Sequence, residues 1–333
     1  MNQFVNPKIK NLPKIELHRH LEGSIPIPLV MEWSKKYNLP LSHDMQVKNP
    51  MPLGPVLERL FYQQRCFQNI ESVETLTYEV LKDIASDNIK LIELRFSPSF
   101  MAEPKNLSFD SIMEATLAAK ERAQKDFGIE VGFILISSRD YGIEACEETI
   151  NLAIQWKKEI IGVDLAGNET EHPPELFEKP FQRAHTEGLN ITTHSGEVSN
   201  PHHISTSIHK LKALRIGHGV QAIQDPKVIQ DLIKYKIPLE LCPTSNLMTQ
   251  AISKIELHPL KKLMNAGVLV TISSDDPTLF GTTLSQEYDI AIHHLGLSLD
   301  QIQKTILTSF HHSFSSDEQK KRAWKKYFKY LEK

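Results

Sequence analysis

The chain has 333 residues, 40% of them apolar and 24% charged, a balance that sustains a packed core rather than a disordered chain. A formal net charge of -3 offers no broad basic field to nucleic acid, and no apolar run approaches the roughly 20 residues that cross a bilayer. The opening "MNQFVNPKIKNLPKIELH" lacks a continuous apolar stretch and a small-residue cleavage site, so no signal peptide and a cytoplasmic location are expected.

In chain order, short apolar or β-branched runs bounded by turn residues predict eight strands. They are "KIELH" from Lys14, "KLIELRF" from Lys90, "EVGFILIS" from Glu130, "IIGVDLAG" from Ile160, "NITTHSG" from Asn190, "LRIGHG" from Leu214, "IPLELCP" from Ile237 and "VLVTISSDD" from Val268. Helical stretches alternate with them. One runs from Glu71, opening with Ser72, one from Ser111 stops at Gly128, and one starts at Asp225.

Between the first two strands lies a long excursion, roughly residues 26 to 88, in which Leu57, Leu60 and Phe61 are placed either to cap a barrel mouth or to pack an extra helix. The tail from Leu299 reads as helical with its lysines facing solvent, and Cys66, Cys146 and Cys242 form no CxxC and read as packed free thiols. Eight alternating units in about 250 residues, with no linker, no GxGxxG and no Walker sequence, predict one domain over 1–333: an α/β fold, a (β/α)8 barrel with extra helices after strand one and at the C-terminus.

Barrel chemistry gathers where strands end. Here strand one closes on His18 and His20, strand five on His194, strand six on His218, and strand eight on Asp275 and Asp276. Residues two apart on a strand share a face about 6.6 Å apart, close enough for two imidazoles to reach one ion at about 2.0 to 2.1 Å. HxH alone is weak, Asp275 or Asp276 in "SSDDP" is also a natural helix cap, and His218 in "GHG" suits a tight turn. Ligand-type residues at the ends of four separate strands are harder to attribute to chance. Three imidazoles and a carboxylate without thiolate suit Zn(II), with Fe(II), Ni(II) and Mn(II) also compatible. The doublets His202-His203, His293-His294 and His311-His312 lack that placement and read as surface or core residues.

The ordered set "PKIELHRHLEGS", "IELRFSPSFMA", "GVDLAGNE", "THSGEV", "RIGHGV", "LELCPTSN" and "ISSDDP", spanning residues 13 to 277, resembles the adenosine deaminase family of metal-dependent amidohydrolases. The resemblance implies one zinc ion held by His18, His20, His194 and Asp275. It further implies that Glu197 protonates the purine N1, that His218 orients and helps deprotonate the attacking water, that Asp276 binds N7, and that the Gly167 backbone meets N3. His20 and Glu22 are also expected against the substrate. "GVDLAG" carries no lysine of the kind that bridges two metals, which favours a single ion. The alternative zinc deaminase plan, HxE with PCxxC, finds only "HTE" at His185.

Two supporting contacts are also expected: Glu240 in "LELCP" bonding His218, and Ser245 bonding Asp275. The family usually has Asp-Gly after HxHL, where the Asp meets the ribose 5′ hydroxyl; Glu22-Gly23 stands there instead and resembles the adenine-using branch. Against adenine, "LRFSP" and "DLAGNE" resemble the nucleoside-using branch, so the expected ligand is a small purine, adenosine first, with adenine or a 5′-modified nucleoside such as aminodeoxyfutalosine as alternatives. A family-like binding protein without turnover, and another mononuclear amidohydrolase reaction, are the competing classes.

Overall fold

The computed structural model describes residues 5–40, 45–102 and 107–332. All eight predicted strands form, and they lie in one parallel sheet in the order β1 to β8: Lys14–His20, Ile89–Phe96, Glu130–Ser138, Gly162–Ala166, Ile191–Ser195, Arg215–His218, Leu239–Leu241 and Val270–Ile272. Each is nearly wholly buried, as expected of strands covered on both faces by barrel interior and helices. The β8/β1 seam is closed by a single bridge, Arg19 to Asp275, in which His20 N–H donates to Asp275 O at 2.9 Å and Asp275 N–H to His18 O at 3.2 Å. Two of the three segments expected to supply metal ligands therefore also close the barrel.

In β1 the register against β2 slips between Glu16 and Arg19, so that three steps along β1 match two along β2. A bulge of this kind re-aims side chains. Glu16 and Arg19 meet at 3.7 Å, while His18 and His20 both reach the barrel centre.

The helix expected to open with Ser72 begins earlier, at Ile70–Ser86. Asn69 is its cap and Ser72 closes a reciprocal box, with Ser72 N–H donating to Asn69 Oδ1 at 2.8 Å and Asn69 N–H to Ser72 Oγ at 2.9 Å. The next helix, Phe109–Phe127, ends at Gly128 with φ of 64°, and Asp225 caps Pro226–Tyr235. In the excursion, whose residues 41–44 lie outside the described residues, helix Leu53–Gln64 lies over the barrel mouth, with Leu57, Leu60 and Phe61 lining the cleft beneath. Val56 and Leu60 join Leu279 and Phe280 in a small apolar cluster separate from the main core.

At the other end of the chain, helix Leu299–His312 packs on β8 and β1, and Lys321, Lys325, Lys326 and Lys329 are exposed. The three cysteines are buried and free. Among the described residues no helix is long and apolar enough to cross a membrane.

Candidate active site

At the C-terminal end of the barrel, one donor atom from each of His18, His20, His194 and Asp275 falls within 4.8 Å of the others. His18 Nε2 and His20 Nε2 each stand 3.1 Å from Asp275 Oδ1, and His20 Nε2 is 3.2 Å from His194 Nε2. None of the histidine doublets belongs to such a group among the described residues.

The protonation of this cluster is dictated from behind. His18 Nδ1 lies 2.9 Å from Glu240 Oε2, and His194 Nδ1 lies 3.1 Å from Asp164 Oδ2. Burial pushes both carboxyls up, but Arg95 with Arg215 for Glu240, and His194 with Arg95 for Asp164, outweigh it and hold them below the ordinary carboxylate range. An ionised carboxylate only accepts, so Nδ1 of His18 and of His194 each carries a proton toward its carboxylate. Burial likewise pushes His194 down to about 4, despite the pull of Asp164. That leaves His194 Nε2 bare at neutral pH, within 4.8 Å of an Asp275 carboxylate that its contacts with His18 and His20 hold well below its ordinary range against the effect of burial. Three imidazoles and a carboxylate converging at this range, with carboxylate–imidazole pairs orienting His18 and His194 from behind, are the donor set of a cation site.

The expected partner of Glu240 is therefore corrected: it bonds His18, not His218. It lies on β7, next to the β6 strand that ends in His218, but Arg95 Nη2 at 2.9 Å and Arg215 Nε at 2.6 Å hold it where it meets His18 instead. Ser245 is likewise corrected. It lies in the short helix Pro243–Met248, where its buried Oγ has no hydrogen-bond partner and does not reach Asp275.

Arg95, which sequence reading passed over, joins the two supporting carboxylates, donating from Nη1 to Asp164 Oδ2 at 2.7 Å and from Nη2 to Glu240 Oε2. Its signal was a charge inside the apolar run "IELRF". Arg95→Met should cost about 3 to 5 kcal/mol in denaturant unfolding, because buried Asp164 loses its arginine and buried Glu240 keeps only Arg215. An unchanged midpoint would show that the clamp carries no stability.

Across the cleft, Glu197 Oε1 accepts from Thr249 Oγ1 at 2.8 Å, and Oε2 stands 3.7 Å from His218 Nε2. Burial first, and then the charge of Asp275, push its carboxyl up to about 8. Its backbone is held by Glu169, another residue not singled out from "GVDLAGNE". Oε2 of Glu169 accepts from Gly196 N–H at 2.8 Å, and Oε1 accepts from Glu197, Val198 and Ser199 at 2.8, 2.9 and 3.1 Å.

His218, at φ of 60°, is also 3.8 Å from Asp275 Oδ2. Asp276 is buried, its Oδ1 has no partner, and burial followed by the neighbouring Asp275 charge raises its carboxyl well above the ordinary value. A Cβ on Gly23 would overlap that carboxylate, so the glycine after Glu22 makes room for it. Glu22 Oε1 accepts from Ser97 N–H at 2.7 Å, and burial lifts its pKa to about 7.

These groups share one cleft, lined also by Gly167, Ser138 and Asp140. Every expected catalytic, metal and substrate residue is brought to it; Glu240 and Ser245 are not among its lining residues.

A sequence profile described as "Adenosine deaminase" matches residues 13–329. The adenosine deaminase of Vibrio cholerae is 34% identical over 320 residues, covering 93% of this chain and 96% of that protein. Among solved structures, the N6-methyl-AMP deaminase of Arabidopsis thaliana matches with a TM-score of 0.83 at 30% identity, over 95% of this chain and 96% of that one. An adenine deaminase from Arthrobacter aurescens, at 24% identity and a TM-score of 0.89 over 97% and 100% of the two chains, shares the fold.

Proposed function

The chain belongs to the adenosine deaminase family of hydrolytic deaminases, and from that premise we propose that it is a single-domain cytoplasmic enzyme converting adenosine, or a closely related uncharged 6-aminopurine nucleoside, to the inosine-type product and ammonia. The observation that carries this reading is one cleft in which a four-donor cluster faces a buried carboxyl that keeps its proton to about pH 8.

His18, His20, His194 and Asp275 would hold one divalent ion, and the all-imidazole and carboxylate set favours zinc. Bound there, the ion would supply, as nucleophile, a water molecule acidified toward neutral pH. The rest falls to the chain. Glu197 donates its proton to ring N1, which draws electrons away from C6 and opens that carbon to attack. Asp276, neutral because it is buried beside another carboxylate, donates to N7, while Gly167 N–H meets N3. His218 Nε2 faces the same space and orients the attacking oxygen.

The cleft also speaks to substrate charge. No lysine or arginine lines it among the described residues, whereas Glu22, Asp140, Glu197, Asp275 and Asp276 do. A 5′-phosphate would find no cationic side chain to pair with there, so an uncharged nucleoside is favoured over a nucleotide. The longer Glu22 supports adenine as a second reading.

Ammonia release from adenine, adenosine, deoxyadenosine, 5′-substituted adenosines and AMP separates these. Adenosine or a neutral 5′-substituted analogue should lead, and faster turnover of AMP would sink the uncharged-substrate reading. Glu22→Asp should raise the kcat/KM ratio of adenosine over adenine by about tenfold, the size expected of one methylene in a snug pocket. An unchanged ratio would mean that Glu22 does not meet the sugar.

A further inference from the structure

The ring polarity of His218 is set from outside the cleft. Leu260 N–H donates to His258 Nδ1 at 3.1 Å, and a backbone amide cannot reverse its direction. His258 is buried, and burial pushes its imidazole down to about 3, so at neutral pH it carries one ring proton, which sits on Nε2. From there it donates to Asn246 Oδ1 at 3.1 Å. With its oxygen so engaged, the Asn246 amide turns its NH2 to His218 Nδ1 at 3.0 Å, and only a bare Nδ1 can accept.

We infer that Asn246 and His258 are positioning residues that lock His218 as the Nε2–H tautomer, making it a hydrogen-bond donor toward the reaction space. Flipping the amide would set NH2 against the His258 Nε2–H, so the chain of bonds excludes both the Nδ1–H tautomer and the doubly protonated ring. A donor 3.7 Å from Glu197 Oε2 and 3.8 Å from Asp275 Oδ2 steadies negative charge developing on the attacking oxygen. It does not take that oxygen's proton at Nε2, which revises the base role implied by the family resemblance. That proton goes instead to Glu197, ionised once it has protonated N1, and from there to the amino nitrogen as its bond to C6 breaks and ammonia leaves. The catalytic consequence rests on the deaminase reading; the tautomer does not.

The test uses zinc-loaded protein carrying isotopically labelled histidine, with His218 signals in long-range proton–nitrogen spectra identified by their loss in His218→Gln. Wild type should show a protonated Nε2 and a bare Nδ1. Asn246→Asp puts an acceptor against Nδ1 and should reverse that pattern, with kcat falling by about 100-fold and KM nearly unchanged. His258→Gln, which keeps an N–H directed at Asn246, should recover most of the kcat lost in His258→Leu.

A proton on Nδ1 in the wild-type protein overturns the inference. So does an Asn246→Asp variant that melts like wild type, holds zinc and keeps full kcat. Wild-type protein that releases no ammonia from any aminopurine would overturn the deaminase reading instead, and the spectra would still decide the tautomer.

Discussion

His18→Ala should yield a chain that neither retains metal nor turns over substrate. His18 contributes twice: its Nε2 is one of the four converging donors, and its Nδ1 takes up one oxygen of Glu240 in the buried network behind. Removing the ring leaves Glu240 with a missing partner and the cluster with two imidazoles and one carboxylate. Loss of a supporting contact alone typically costs 10- to 100-fold in metal affinity, and loss of a ligand should exceed that. Turnover should fall by more than about 10⁴, because general acid catalysis by itself supplies only about 10² to 10⁴ of the acceleration that such reactions require. Metal content by elemental analysis, read beside ammonia release, checks both halves. Full retention of metal and rate would remove His18 from the ligand set.

Glu197→Gln should separate the two halves, keeping metal while losing about 10² to 10⁴ in kcat. The amide preserves shape and can still accept from Thr249, but it has no proton to give to N1. In the wild-type enzyme the protonated form predominates below about pH 8, so kcat/KM should decline as pH rises through that region. A cation held on the neighbouring ligands pulls this carboxyl lower, which places the decline at or below about 8. The residual activity of Glu197→Gln should lack that limb. Unchanged turnover, or an identical alkaline limb in the variant, would take away the proton-donor role.

The same group acts on stability with a definite sign. Its folded pKa lies above the ordinary 4.5, so the metal-free native state holds the extra proton, and between about 4.5 and 8 this group's contribution to stability falls as pH rises. Metal-free Glu197→Gln should therefore lose less stability than wild type from pH 6 to about 8 in parallel urea titrations.

Local pattern determined a good deal of this protein. Period and turn residues placed all eight strands, because a strand buried on both faces is an apolar run whatever surrounds it. The strand-end histidines and aspartates were legible for a related reason: a barrel turns the ends of its strands toward one mouth, so residues at those ends meet regardless of loop length. Gly128 and Asp225 announced their helix ends through backbone chemistry that acts within one turn.

The tertiary structure alone decided who stands behind the site. Glu240 was expected beside His218 and is found on His18, Ser245 was expected on Asp275 and has no partner, and Arg95, Asp164, Glu169, Asn246 and His258 drew no notice as single letters. Those contacts cross between strands or between a loop and a distant helix. The placement of His18, His20 and Asp275 among them also involves a register slip in β1 and a bridge across the β8/β1 seam, and neither leaves a periodic trace in the chain. Ligand identity is a property of side chains and can be read one residue at a time, whereas protonation is a property of neighbours and exists only once the barrel has closed.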